Sequence, residues 1–129
     1  LGSNELSSLP ETIGSLTSLK ELRLNGNKLS SLPDGIGSLT SLERLYLDNN
    51  NLSSLPESIV SLKSLKTLDL YNNKLSSLPR TIGSLKSLEN LSLKDNKLFS
   101  LPESIKKELK RLKDNGCSIC GTSAYGIDL

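Results

Sequence analysis

At 129 residues, with a net charge of +2 and its acidic and basic side chains interspersed, the chain is one domain. It lacks the cationic stripe with which a protein follows a phosphate backbone, so nucleic acid is not an expected partner. With no His, two Cys and neither G-x-x-x-x-G-K-[ST] nor G-x-G-x-x-G, it offers no nucleophile-base pair and no nucleotide cradle, and we expect neither catalysis nor a cofactor. No apolar run approaches the roughly 18 residues of a membrane span, and no signal peptide is visible.

In chain order, residues 1–18 read as the back half of a repeat. Leu1-Gly2-Ser3 has two readings: the remnant of a cleaved tag, or native sequence, because Leu1 and Asn4 fall in register with Leu24 and Asn27. Arrays of this kind need polar capping ends, and this one opens mid-repeat, so we expect a fragment of a longer protein. Three full copies follow, at 19–41, 42–64 and 65–87, and a last repeat at 88–105 breaks off. The second and third copies agree at 15 of 23 positions, which fits either recent duplication or consensus engineering.

Each copy opens as L-x-x-L-x-L-x-x-N-x-L. In Leu42-x-x-Leu45-x-Leu47 the alternation points Leu45 and Leu47 inward and Tyr46 outward, the period of a half-buried strand. One such strand per repeat, always in the same direction, predicts a curved parallel sheet on the concave side of a solenoid. The chain turns at Asp48-Asn49-Asn50, and the recurrent Asn27, Asn50, Asn73 and Asn96 are expected to form an inner ladder whose amides satisfy backbone groups left open by the turns. Leu52-Ser-Ser-Leu55-Pro56 follows; the proline fixes φ and starts a short helical or 3-10 turn carrying Ile59 and Leu62 on the convex side.

The last repeat departs from this plan. Ile105, Leu109 and Leu112 fall on one helical stripe, so residues 102–114 are expected to form a longer helix, stopped at Asn115-Gly116, that closes the core. Residues 106–129 make up the cap helix and tail. The outer face of that helix is strongly basic and reads as a solvated cap or as a basic docking patch.

With these motifs in place, the chain resembles the leucine-rich repeat proteins. Leu55-Pro-Glu-Ser-Ile59-Val-Ser-Leu62 is similar to the 23-residue class seen in Ras-binding scaffold proteins, in their plant intracellular relatives, in Roco-type GTPases and in many bacterial and protist proteins. The resemblance covers residues 1 to about 105. It implies an α/β horseshoe that binds protein, usually inside the cell and in signalling, with a small GTPase as one partner it brings to mind. Extracellular members generally carry a four-cysteine terminal cap, and its absence here points to the cytoplasm, where thiols stay reduced.

The copies can be compared with one another. The core leucine columns do not vary, whereas the outward columns do: Glu21, Arg44, Thr67, Asn90; then Arg23, Tyr46, Asp69, Ser92; then Asn25, Asp48, Tyr71, Lys94. Two of the three tyrosines fall here, and Tyr and Arg are enriched at interface hot spots. A partner-binding centre of Arg23, Arg44, Tyr46, Asp69 and Tyr71 is expected, with Glu21, Asp48, Thr67, Asn90, Ser92 and Lys94 around it. The plainer reading is that aromatics suit strand surfaces.

Cys117-Ser-Ile-Cys120-Gly121 reads as two reduced thiols or a local disulfide in a terminal turn. A zinc knuckle would need two further ligands that one chain does not supply as Cys or His, and a redox pair lacks its usual βαβ setting. The overall expectation is a protein-recognition module that uses its concave face. The alternatives are a homodimer through the exposed first repeat or through Cys117 and Cys120, and a consensus-like scaffold without a natural ligand.

Overall fold

The structure, a computed structural model, describes residues 2–127 and 129; the in-register reading of Leu1 therefore lies outside the described residues. The alternating leucines produce one short strand per repeat: β1 (Glu21–Arg23), β2 (Arg44–Tyr46), β3 (Thr67–Asp69) and β4 (Asn90–Ser92). A fifth strand, β5 (Ser118–Cys120), joins them in a parallel sheet of order β1-β2-β3-β4-β5. The register is that of the repeat, with Leu22, Leu45, Leu68, Leu91 and Ile119 side by side. Leu45, Leu47, Leu68 and Leu70 are fully buried, and each such side chain contributes about 1.5–3 kcal/mol of apolar burial.

On the convex side the proline phrases form 3-10 turns at η1 (Glu11–Ser15), η2 (Asp34–Ser38), η3 (Glu57–Ser61) and η4 (Ile82–Ser84). Each is closed the same way: the N–H of Ile13, Ile36, Ile59 and Ile82 donates to the carbonyl of the proline three residues back. η1 packs on η2 and η2 on η3, at a separation that only glycine permits. A Cβ on Gly37 would stand 2.5 Å from the Ser58 carbonyl oxygen. The third repeat has Val60 where its neighbours have Gly37 and Gly83, and no comparable packing joins η3 to η4 among the described residues.

The buried Asn ladder runs through all four repeats. Asn50 Nδ2 donates to the Leu24 and Leu47 carbonyls at 2.9 and 3.0 Å, and its Oδ1 accepts the Leu29 N–H at 3.0 Å. Asn73 and Asn96 repeat the pattern, so each ladder residue stitches its own turn to the one before. The N-terminal segment shares this register. Leu6 N–H donates to Asn27 Oδ1, and Ser3 N–H donates to the Asn25 carbonyl just as Gly26 N–H donates to that of Asp48. Gly26, Asn49, Asn72 and Asp95 occupy one left-handed position per repeat, with φ of 70, 59, 56 and 58°, and Ser3 holds the same position at 58° in the N-terminal segment; the four repeats that follow use Gly, Asn or Asp there, the residues that tolerate it best.

The C-terminal end is closed by α1 (Glu103–Asp114), which buries Ile105, Leu109 and Leu112 and packs against η4. Asn115 caps it, and Gly116 follows with φ 97°. Three of its five cations pair with carboxylates of the same helix: Lys106 with Glu103, Lys110 with Asp114 and Arg111 with Glu108. The segment after α1 corrects the expected terminal turn. Ser118-Ile119-Cys120 is a strand, followed by a 3-10 turn, η5 (Ser123–Tyr125). Tyr125 then stands in for the ladder asparagine of a next repeat. Its hydroxyl donates to the Leu93 carbonyl at 2.9 Å and accepts the Asn96 N–H at 2.5 Å, and its ring meets Phe99 edge-on at 5.1 Å.

Candidate functional site

Because side chains alternate along a strand, the sheet turns one row per repeat away from the leucine core. The pairing register aligns these rows. Glu21, Arg44, Thr67, Asn90 and Ser118 form one column, and Arg23, Tyr46, Asp69, Ser92 and Cys120 the next. The third runs past the strand ends, where Gly26, Asn49 and Asn72 donate to the carbonyls of Asp48, Tyr71 and Lys94. Ser118 and Cys120 belong to this face although comparison of the copies did not place them there. Their only signal is the three-residue alternation Ser-Ile-Cys, too short to separate a strand from a turn.

The face has two halves. The first is charged and aromatic. Glu21 accepts from Arg23 Nε at 2.8 Å and from Arg44 Nε at 2.9 Å, and the Arg23 guanidinium sits 4.6 Å above the Tyr46 ring. The hydrogen bonds from Arg23 and then Arg44 hold the Glu21 carboxyl below the usual carboxylate range. Glu21 is therefore the hub that fixes both arginines and, through Arg23, the first tyrosine. Tyr71 is exposed and its backbone N–H donates to Asp69 Oδ1 at 3.0 Å.

The second half carries small polar side chains together with Leu68 and Leu91. A depression of about 160 Å³ lies among Thr67, Asp69, Asn90, Ser92, Ser118 and Cys120. Burial pushes the Asp69 carboxyl up, the Tyr71 N–H pulls it partly back, and the Asp48 charge raises it further. Cys120 Sγ lies 3.3 Å from Ser92 Oγ. Lys94 is exposed beyond the end of β4. A larger hollow of about 530 Å³ is bordered by Lys86, Arg111, Asp114 and Asn115; it is wide and shallow, and two of its three bordering charges are already paired within α1.

The two cysteines do not converge. Cys117 is buried in the core, where burial pushes its thiol up to about 11, while Cys120 is exposed on the concave face. Side chains on opposite sides of a sheet edge suit neither a local disulfide nor a shared metal. Among the described residues no cluster of three or more His, Cys, Asp or Glu is placed to hold a metal ion. No helix among them is long and apolar enough to cross a membrane.

A family model for the leucine-rich repeat region matches residues 2–114. The chain belongs to the leucine-rich repeat family. No curated protein matches it, but many solved structures do. A leucine-rich repeat protein of Leptospira interrogans is 37% identical, with a TM-score of 0.79 over 89% of this chain and 34% of that one. The leucine-rich repeat ectodomain of the receptor kinase SOBIR1 from Arabidopsis thaliana is 39% identical, with a TM-score of 0.67 over 74% of this chain and 55% of that one. The plant peptide hormone receptor RGFR1, in a complex with RGF2, is 39% identical, with a TM-score of 0.69 over 85% of this chain and 18% of that one. This chain thus spans about a third, a half and a fifth of those leucine-rich repeat chains. Leucine-rich repeat domains of this kind are protein-interaction modules.

Proposed function

We propose that the chain recognises a protein partner on its concave sheet face, centred on Arg23, Arg44, Tyr46, Asp69 and Tyr71. The observation that carries this reading is the Arg23–Glu21–Arg44 fork with Arg23 stacked on Tyr46. Two guanidinium groups and an aromatic ring are held in place before any partner arrives, which lowers the entropy lost on binding. The variability of the outward columns, set against invariant leucines behind them, supports the same face. RGFR1, captured with RGF2, is a relative bound to a ligand, and protein recognition is the activity we carry over from it.

Residues 1–105 act in this reading as the binding array and 106–129 as its cap. We place the domain in the cytoplasm, in a signalling role and without enzymatic activity. By the resemblance to the Ras-binding class, small GTPases are the first partners to try. The test is affinity capture from lysate, comparing the chain with a Tyr46→Ala/Tyr71→Ala variant whose fold is checked by circular dichroism. A partner held by the first and lost by the second supports the reading. A partner set indifferent to both substitutions sinks it and moves attention to pairing of two chains along the outer edge of β1.

A further inference from the structure

We propose that the depression in the second half of the concave face is a subsite for an arginine side chain of the protein partner, its guanidinium seated on Asp69. This rests on the concave-face reading above and says what chemistry the partner must bring. Glu21, at the other end of the same face, is shared by two arginines. Asp69 is half-buried yet enters no ion pair: none of the salt bridges among the described residues includes it, and its one hydrogen bond comes from the Tyr71 N–H to Oδ1. The charge that acts on it is that of another carboxylate, Asp48. A partly desolvated carboxylate without a cation is a cost in the free protein, and a cation from outside relieves it.

The shape of the site selects the kind of cation. The depression is about 160 Å³, and Thr67, Asn90, Ser92 and Ser118 border it alongside Asp69. Leu68, Leu91 and Cys120 share the same depression, so it offers a carboxylate with hydroxyl and amide acceptors for N–H donors and apolar contacts for a side-chain stem. Guanidinium supplies five donors in a fixed fork and is more weakly hydrated than an ammonium group. Tyr71, whose backbone N–H meets this carboxylate, is 37% exposed and brings an aromatic ring to the same face, a partner arginine also favours.

The test needs no identified partner. The whole chain, labelled with ¹⁵N, is titrated with N-acetyl-arginine amide and separately with N-acetyl-citrulline amide, its uncharged counterpart of nearly equal shape. We expect saturable amide shifts from the arginine compound at Thr67, Asp69, Asn90, Ser92 and Ser118, and none from citrulline. Asp69→Asn keeps an oxygen for the Tyr71 N–H and should weaken binding about tenfold or more, the scale of a charge-assisted hydrogen bond. Ser92→Val, which fills the depression and leaves the carboxylate intact, should weaken it as well. Equal responses to arginine and citrulline, unchanged binding by Asp69→Asn, or no saturable response would each overturn the subsite. In the capture experiment, a partner that requires Tyr46 and Tyr71 but is held equally by Asp69→Asn overturns the subsite alone; a partner indifferent to all three substitutions overturns the concave-face reading with it.

Discussion

The two ends of the sheet are built differently from the same repeat. At the C-terminal end every device of the stack is continued in other chemistry: β5 pairs with β4, α1 covers η4, and the Tyr125 hydroxyl reaches Leu93 and Asn96 where a further asparagine would stand. At the other end β1 is the outermost strand among the described residues, and in front of it the described part of the segment before residue 19 supplies turn contacts from Ser3 and Leu6, an exposed Glu5–Lys28 ion pair and the helical turn η1 rather than a paired strand. Leu6, Leu9 and Leu19 are partly buried there, whereas their counterparts Leu29, Leu32 and Leu42 are buried. A solenoid turn is thus only as complete as its two neighbours, because each turn contacts nothing else.

That comparison is open to direct attack. The largest effect belongs to the middle of the stack. Leu70 is fully buried, and Leu70→Ala should cost about 2–5 kcal/mol in urea unfolding. The corresponding truncation in the outermost turn, Ile13→Ala at 9% exposure, should cost less, under about 2 kcal/mol, because the site collapses or hydrates more easily. Equal costs would mean that the first turn is as well packed as the third.

The ladder gives the next largest effect. Asn73→Ala leaves the buried Leu52 N–H without its acceptor and removes one of two amide donors from each of the Leu47 and Leu70 carbonyls, which keep Asn50 and Asn96. One unmatched buried N–H and two weakened carbonyl bonds should together cost about 2 kcal/mol. Asn27→Ala, whose acceptor bond goes to the partly buried Leu6, should cost about half as much. Hydrogen exchange on the same variants should show opening spread first from the β1 end.

The ladder and the leucine columns were legible in the sequence because each position states its requirement four times over. Asn50 has to be Asn where one side chain must donate to two carbonyls and accept one N–H, and nothing in the copies varies there. What was not legible is what happens only once. Glu21 gains its role from Arg23 two residues on and Arg44 across the strand pair, and only the rotamers of all three show that one carboxylate serves both. β5 lies 28 residues from the strand it joins, as Ser92 and Cys120 show, so it falls out of the 23-residue register that revealed the others. Tyr125 does an asparagine's work with a different functional group, and no pattern search for Asn could have found it.

Cys117 sharpens the contrast through pH. Its thiol titrates at about 11 in the folded chain against 9.0 in the unfolded one. The stabilisation is fully present below pH 9 and is lost as pH rises towards the folded value, because the unfolded chain gives up the proton first. Between pH 9 and 10 the fold should lose about 1 kcal/mol more than a Cys117→Ala variant does over the same interval. An aromatic disulfide reagent should modify exposed Cys120 promptly and Cys117 only with unfolding. Two thiols reacting at one rate would show that the strand after α1 does not hold Cys117 in the core.

The smallest effect tests the substitute itself. Tyr125→Phe keeps the ring against Phe99 but removes the hydroxyl from the Leu93 carbonyl and the Asn96 N–H. Tyr125 is only partly buried, so water can reach the freed groups in part, and the loss should be about 1 kcal/mol or less. It should nevertheless be local. Exchange should quicken at the Asn96 amide and along β4 while the Asn27 and Asn50 turns stay as they were. A loss spread evenly over the repeats would mean that Tyr125 acts on the whole stack; a loss confined to β4 and β5 would mean that it serves as the last rung of the ladder, holding one turn as each asparagine holds the turn before it.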